Sequence, residues 1–263
     1  MVSIRSSAVA GKFYPEEPSE LQANLEALLQ HAHVDNEHLK AIIVPHAGYI
    51  YSGPIAATAY VNFYKQYPAI SRIILMGPAH RVAFNGISAS GLDYFATPLG
   101  NIPVDHASLK SSIEKGNVKY FDAAHEHEHC LEVQLPFLQE IFDQYFEIIP
   151  LLVGDANSKL VAEVLRALWG GDETLIVISS DLSHYHDYEA AKQIDRCTTK
   201  SIEQFQGEQL DFDSACGCLP IQGLLQVAKE FGMQCKVMDL RNSGDTAGSH
   251  ERVVGYGAFA FYY

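Results

Sequence analysis

Uninterrupted apolar runs recur along the chain, and a polar residue ends the most prominent ones abruptly. The three clearest runs are 41–45 (AIIVP) before His46, 73–79 (IILMGPA) before His80, and 174–180 (TLIVISS) before Asp181. Runs of this length that are rich in β-branched residues and leucine are typical of strands buried on both faces of a parallel sheet. The pattern therefore predicts an internal sheet with polar groups at the ends of its strands.

Amphipathic segments separate these strands along the chain. Helices are predicted at 19–33, from Pro54 to about Tyr67, and at 105–115, 131–141, 157–169, 187–205 and 220–231. Further strands are predicted at 147–154, 234–241 and 253–263, with a small β excursion at 86–90 and 97–100. Because strands and helices alternate, we expect one α/β domain over residues 1–263, with a mostly parallel central sheet and helices on both of its faces.

The polar residues at the strand ends are expected to form one site. In open α/β sheets, ligands bind outside the carboxyl ends of the strands. His46, His80 and Asp181 all follow predicted strands, and His184 lies three residues beyond Asp181. A single histidine after a strand would indicate little, but three strand ends with this chemistry favour a shared pocket.

Imidazole is a common ligand of iron, zinc and copper, so His46 and His80 are candidate metal ligands. The alternative is that each only forms a hydrogen bond with a neighbouring loop. The Asp181 carboxylate is a candidate for orienting the His184 imidazole, which would then move protons, or for acting as the outer partner of a metal ligand. In the alternative interpretation, Asp181 caps the following turn and His184 is a surface residue.

Cys216 lies just before a predicted helix, at the start of the sequence CGCLP. The helix dipole is expected to lower the pKa of a thiol at this position, and the thiolate both binds metals and attacks electrophiles. The alternative is a small buried apolar residue, which is the role we expect for Cys218.

The stretch 125–136 (HEHEHCLEVQLP) carries the densest set of polar groups. His129 and Glu132 are three positions apart, so on a helix they would share one face and could face the same pocket. His125 and His127 are expected to be solvated.

Aromatic residues cluster in two predicted loops. Phe13 and Tyr14 follow Gly11-Lys12, and Tyr49 and Tyr51 lie in the loop after the first buried strand. These four side chains would wall a pocket for a flat ligand, although packing into the core is the more common role of aromatic residues.

Charge and cysteine content narrow the classes of partner. Acidic residues outnumber basic ones by 32 to 18, which gives a formal net charge of −14. Such a surface repels phosphate backbones and anionic membranes, so we expect neither nucleic acid nor membrane as a partner. Five scattered cysteines and an N-terminus without a continuous apolar core favour reduced thiols and a cytoplasmic location. Four histidines in polar surroundings are expected to be solvated: His31, His33, His38 and His106.

Several motifs, taken together, resemble those of the Memo family. In order along the chain they are GKFYP, PHAGYIYSG, GPAH, TPLG, EHCLEVQLPF, IIPLLVG, SSDLSHY, CGCLPI and SGDTAG followed by VVGYGAFAF. They cover essentially the whole chain and are most similar to the prokaryotic branch, known as AmmeMemoRadiSam system protein B.

The resemblance implies a fold similar to that of class III extradiol dioxygenases, which hold non-haem Fe(II) with two histidines and a glutamate. It implies that His46 and His80 take the histidine-ligand positions and that Cys216 takes the third. It further implies that His184 takes the place of the acid–base histidine, with Asp181 beside it.

Cys216 departs from the dioxygenase pattern because a thiolate replaces a carboxylate. Two imidazoles and a thiolate form a softer donor set, which suits copper or zinc at least as well as iron. Ring cleavage therefore does not follow from similarity of fold. The hypothesis we favour is an iron- or copper-dependent redox enzyme, ahead of a metal-dependent hydrolase with zinc.

The alternative hypothesis is a binding module that keeps the pocket without catalysis. Animal Memo proteins are associated with phosphorylated receptor peptides, whereas the prokaryotic branch accompanies a radical-SAM protein and an AMMECR1-type partner. Either an unknown small molecule or a peptide would then be the ligand. Lys12 and Arg81 are the only basic residues that the sequence suggests near the site, which disfavours a phosphopeptide.

Overall fold

A computed structural model describes residues 2–32, 38–65, 70–142 and 145–263. The strands in these ranges are β1 (Ile4–Arg5), β2 (Leu39–Val44), β3 (Arg72–Pro78), β4 (Ile87–Ala89), β5 (Tyr94–Thr97), β6 (Gly100–Pro103), β7 (Val118–Tyr120), β8 (Glu147–Val153), β9 (Thr174–Ser179), β10 (His184–His186), β11 (Gln234–Asn242) and β12 (Val253–Tyr262). The α-helices are α1 (Pro18–Gln30), α2 (Tyr49–Tyr60), α3 (His106–Glu114), α4 (Asp122–Glu126), α5 (Leu135–Ile141), α6 (Ser158–Leu168), α7 (Tyr188–Glu203) and α8 (Cys218–Glu230). Two predictions, the solvation of His33 and the end of the second helix near Tyr67, lie outside the described residues.

The described strands form a central sheet of nine, in which β2, β9, β3 and β8 are neighbours and run parallel. Helices connect successive strands of this centre, as parallel pairing requires. The outer strands are mixed: β12 pairs antiparallel with β2, β11 and β10, and β4 pairs antiparallel with β8 and parallel with β7. The predicted α/β architecture with a largely parallel sheet is therefore confirmed, with antiparallel strands added at its edges. A separate small sheet contains β1, β5 and β6.

Helices cover both faces of the large sheet and divide the core into two layers. In β2, Ile42 and Val44 pack into the layer that contains α1, α2 and α5, whereas Ala41 and Ile43 pack into the layer that contains α3, α6, α7 and α8. Burial on both faces explains why the sequence of this strand is apolar at every position rather than alternating. None of the described helices combines the length and the apolar composition needed to cross a bilayer.

The predicted helix starts are confirmed where an aspartate or asparagine caps them. The side chains of Asp105, Asn157 and Asp187 accept hydrogen bonds from the first-turn N–H groups of α3, α6 and α7. The expected start of the second helix at Pro54 is wrong, because α2 already begins at Tyr49 and includes the proline. Because Pro54 has no N–H group, the Ile50 carbonyl lacks its helical hydrogen-bond donor. Ile50 is 70% exposed.

The helix predicted at 131–141 begins later than expected, and no α-helix covers residues 127–134. The helix α4 ends at Glu126, a 3-10 turn spans Glu132–Gln134, and α5 begins only at Leu135. The second residue of α5 is Pro136, a position that suits proline and ends regular helix upstream of it. The prediction that His129 and Glu132 share a helical face is therefore wrong, and their side chains lie in different environments.

Candidate metal centre

Three residues that are far apart in sequence bring potential metal-ligand atoms together. His46 follows β2, His80 follows β3, and Cys216 lies in the turn before α8. One ligand atom from each lies within 4.8 Å of the other two. The Cys216 Sγ is 3.3 Å from the His46 Nε2, and the two imidazole centroids are 5.1 Å apart. This geometry fits a single ion held by two imidazoles and one thiolate.

His46 is held in one tautomer by its surroundings. The Ser179 hydroxyl donates to the Cys130 carbonyl at 2.6 Å, so its oxygen acts as acceptor towards the His46 Nδ1 at 3.0 Å. The Nδ1 must therefore carry the proton, and the lone pair of Nε2 faces Cys216. Burial, together with the neighbouring His80 and His129, lowers the pKa of His46 well below its ordinary value. The neutral imidazole that results is the form that binds metals.

The Glu128 carboxylate lies beside the rings of His80 and His129, and it forms a side-chain hydrogen bond with His80. Its carboxylate is 2% exposed, and its Oε1 lies 3.0 Å from the Nδ1 of both His80 and His129. Burial alone would raise the pKa of Glu128, but the contacts with His129 and His80 outweigh it and lower the pKa, so the carboxylate stays ionised. Carboxylates in this position fix the orientation of metal-binding histidines and leave Nε2 free for the ion.

Glu128, His80 and His129 are also close enough together to be a metal-ligand group of their own. However, the carboxylate already accepts hydrogen bonds from the backbone N–H groups of His80, Arg81, His129 and Cys130. Its acceptor sites are therefore occupied by the protein. This environment fits an outer carboxylate that positions the His80 imidazole better than it fits a second ion.

Asp181 has His46 as its partner rather than His184. Its Oδ1 accepts the backbone N–H of His46 at 2.7 Å, and no hydrogen bond joins it to His184 within the described part of the chain. Of the two functional roles considered for Asp181, this hydrogen bond corresponds to the outer partner of a candidate metal ligand rather than to orientation of the His184 ring. Burial raises the pKa of Asp181, and the His46 N–H partly opposes this shift.

The thiol of Cys216 does not have the lowered pKa that its position before a helix predicted. Burial and the nearby Asp181 raise the pKa of Cys216 to about 12. The helix begins two residues later, at Cys218, so desolvation outweighs the helix dipole. A metal ion that binds here must displace the thiol proton, which is the usual coupling between metal binding and thiol ionisation.

Two cavities meet at this centre. The first, of about 910 Å³, is bordered by His80, His184 and Cys216. The second, of about 660 Å³, is bordered by His46, His80, His129, Asp181 and His184. Since His80 and His184 border both cavities, the ligand set lies between two open spaces and is reachable from either.

Two of the four aromatic residues predicted to line a pocket do so. Phe13 and Tyr51 line the second cavity, and the Phe13 ring is 4.9 Å from that of His129. Tyr14 and Tyr49 do not line either cavity and are buried in the core. Each is held there because its hydroxyl finds a buried acceptor: Glu132 for Tyr14 and the Val133 carbonyl for Tyr49.

Glu132 is a structural residue rather than a pocket residue. It is fully buried, pairs with Arg5, and accepts hydrogen bonds from the Tyr14 hydroxyl and the backbone N–H groups of Ala8 and Val9. These contacts hold the N-terminal segment that carries Phe13 against the second cavity. The prediction that Glu132 faces the pocket is wrong because this segment covers it.

His125 is also an exception to the sequence-based expectation. It is 1% exposed, and its Nε2 lies 3.1 Å from the Ser88 hydroxyl. His127 is exposed, as expected, and so are His31 and His38, whereas His106 is half-buried against Tyr120.

The sequence did not indicate Glu128, Ser179 or Arg252 as site residues. Arg252 lines the second cavity from the turn before β12. The alternating HEHEH pattern at residues 125–129 is the feature that could have identified Glu128, because a carboxylate between histidines is a common outer partner. The position of Arg252 at this cavity depends on the pairing of β10 with β12, which no local sequence pattern indicates.

The whole chain resembles known proteins. A family model described as Memo-like protein matches residues 5–260. A MEMO1 family protein of Aquifex aeolicus is 34% identical over 96% of this chain and 97% of its own length. A MEMO1 family protein of Methanosarcina mazei is 33% identical, over 98% of both chains. Among solved structures, the uncharacterized protein JW3007 from Escherichia coli K12 shares the fold, with a TM-score of 0.55, 11% identity, and coverage of 83% of this chain and 99% of that one.

Proposed function

This chain belongs to the family of Memo-like proteins, and we propose that it is a metal-dependent redox enzyme in which His46, His80 and Cys216 hold iron or copper. The observation that carries the proposal is the convergence of three ligand atoms within 4.8 Å of one another, between two cavities. A structural site would be closed by a fourth protein ligand, whereas a catalytic site keeps an open position.

The donor set supports the choice of metal. Two imidazole nitrogens and one sulfur suit copper, zinc and iron, and disfavour magnesium or calcium, which prefer oxygen ligands. When bound, iron or copper supplies one-electron exchange and polarises a substrate oxygen.

The residues of the chain would divide the remaining tasks. Glu128 holds His80, and the Asp181 carboxylate holds the backbone of His46. His184 is half-buried and borders both cavities, so it is the residue we assign to moving a proton to or from the substrate. Phe13 and Tyr51 wall the second cavity beside this group.

The test is metal content after anaerobic purification, measured by elemental mass spectrometry. We expect near-stoichiometric iron or copper in the wild type and its loss in Cys216→Ser. Cys197→Ser is the matched control, because Cys197 is an exposed free thiol on α7, and this variant is expected to keep the metal.

Other outcomes favour the other hypotheses. Stoichiometric zinc that does not exchange for iron or copper would favour a hydrolase in which zinc activates water. The absence of any metal after reconstitution would contradict the proposal and favour a binding module for a small molecule or peptide. Association with radical-SAM or AMMECR1-type proteins stays a prediction.

A further inference from the structure

A third cavity, of about 410 Å³, lies along β1 and is separate from the metal-ligand set. It is lined by residues 4–8, by Leu92, and by four residues in or just after α4: Asp122, Ala123, Glu126 and His127. None of these residues lines either of the cavities that meet at the metal-ligand set. Because five consecutive residues border it, the cavity is a groove that follows the chain, and we call it the β1 groove.

One side of β1 has no partner strand within the described part of the chain. The small sheet has the order β1, β5, β6, so β5 covers only the other side of β1. The Tyr94 N–H donates to the Ser3 carbonyl at 3.2 Å, which places that carbonyl on the side of β5. Since the main-chain groups of successive residues in a strand point to opposite sides, those of Ile4 face away from β5. The backbone of Ser6 likewise has no hydrogen-bond partner among the described residues. Unpaired groups of this kind are a template for another strand.

The position of β1 is fixed from the interior, although the strand is only two residues long. The Arg5 Nε donates to the His125 carbonyl at 2.9 Å, and its Nη2 donates to the Glu128 carbonyl at 2.6 Å. The same guanidinium pairs with the buried Glu132. A strand edge that is held in place before binding loses little conformational freedom when another strand pairs with it.

The charge of the β1 groove is acidic. Asp122 and Glu126 line it and are exposed, whereas Arg5, the one arginine in its lining, is buried against Glu132. A basic segment is therefore attracted to the groove. Pairing with β1 of a second copy is disfavoured, because it would bring the acidic residues of both copies together in a chain whose formal net charge is already −14.

The groove also offers apolar surface. The Ile4 side chain is 45% exposed and lines the groove together with Leu92 and Ala123. A strand that pairs with β1 would cover Ile4 with a side chain of its own, and such cross-strand pairs are the contacts that stabilise a sheet.

We propose that the β1 groove binds an extended, basic segment of a partner protein, which adds a strand to the small sheet along β1. Hydrogen bonds to the main-chain groups of Ile4 and Ser6 hold the segment, and its lysine or arginine side chains lie beside Asp122 and Glu126. Residues 4–8 span about 13–17 Å when extended, so the matching segment has about five residues. This surface involves no metal ligand and is independent of the proposed function.

The experiment adds the capped peptide acetyl-KVKVKV-amide to the full chain at low ionic strength and follows amide hydrogen exchange by NMR. We expect saturable binding that slows exchange at the N–H groups of Ile4 and Ser6 by about tenfold or more, because these donors gain acceptors. Glu126→Lys is expected to weaken the peptide about tenfold. Glu163→Lys is the control and should have little effect: it makes the same change of charge at an exposed position on α6 that does not line the groove.

Two further peptides separate strand pairing from general attraction of charge. The acidic counterpart acetyl-EVEVEV-amide is expected not to bind. A version of the basic peptide that is methylated at every backbone nitrogen keeps its charges and apolar side chains but has no N–H groups to donate. We expect it to bind about tenfold more weakly than the parent peptide, or worse.

Several results would overturn the proposal. Saturating peptide that leaves exchange at Ile4 and Ser6 unchanged would place its binding elsewhere on the acidic surface. Equal binding of the acidic or the methylated peptide, or equal effects of Glu126→Lys and Glu163→Lys, would exclude the assigned contacts. Protection of the same two N–H groups that grows with protein concentration in the absence of peptide would assign the edge of β1 to a second copy of the chain instead.

Discussion

The Glu128 carboxylate lies 3.0 Å from the Nδ1 of His80 and also accepts that residue's backbone N–H at 2.6 Å. One buried side chain thereby fixes both the position and the ring orientation of a proposed metal ligand. Outer carboxylates of this kind strengthen the ligand they hold, because they stabilise the positive charge that develops on a metal-bound imidazole.

Replacement of this carboxylate should weaken metal binding without removing a ligand. We expect Glu128→Gln to lower metal affinity about 10–100-fold, as measured by competition with a chelator of known affinity. Glu126→Gln is the matched control, since Glu126 is 68% exposed and two residues away, and it should bind metal like the wild type. Equal affinities in the two variants would show that His80 needs no outer partner.

The buried pair of Arg5 and Glu132 should dominate the stability of the N-terminal segment. Removing one charge leaves the other buried without a partner, so we expect Glu132→Gln to reduce the free energy of unfolding by about 3–5 kcal/mol. The same variant should speed hydrogen exchange at Ala8 and Val9, whose N–H groups bond to Glu132.

The exposed pair of Arg166 and Glu230 provides the comparison, measured by the same urea titration. Glu230→Gln should change the free energy of unfolding very little, because solvent screens this ion pair. A loss in Glu132→Gln as small as that in Glu230→Gln would contradict the structural role we assign to Glu132.

Acid should destabilise the protein through His125. Burial, with a further contribution from Arg5, lowers the pKa of His125 to about 4 from its ordinary 6.5. Between these two values the unfolded chain binds a proton that the folded chain excludes, so the free energy of unfolding decreases as pH falls from 6.5 to 4 and this loss is absent above 6.5. The full contribution is about 3 kcal/mol.

The measurement is urea denaturation at several pH values across this window. His125→Gln should flatten the decrease, whereas His127→Gln should leave it unchanged because His127 is exposed. If both variants retain the wild-type slope, another group is responsible for the acid sensitivity.

The sequence identified the strand ends because burial on both faces leaves an unmistakable apolar run. His46, His80 and Asp181 were found for this reason, and β2, β9 and β3, which carry them, are adjacent in the sheet. The antiparallel pairing at the edge of the sheet was harder to predict from the sequence. The pairing of β12 with β2 joins segments about 200 residues apart and depends on tertiary packing.

The environment of each side chain was harder to predict than its position. Tyr14 and Glu132 were both expected in the pocket, yet each is the buried partner of the other. Cys216 lies where expected, but its pKa is set by enclosure beside Asp181 rather than by its distance from a helix. Desolvation depends on all neighbours at once, and a sequence pattern records only those nearby in the chain.

The central claim is that His46, His80 and Cys216 bind one metal ion. X-ray absorption at the metal edge of the reconstituted protein tests it most directly, because sulfur and nitrogen ligands scatter differently. We predict one sulfur ligand and at least two imidazole nitrogens at shorter distance, near the values of about 2.3 Å and 2.0 Å that these ligands have in zinc sites, with the sulfur absent in Cys216→Ser. A shell of nitrogen and oxygen alone in the wild-type protein would contradict the claim.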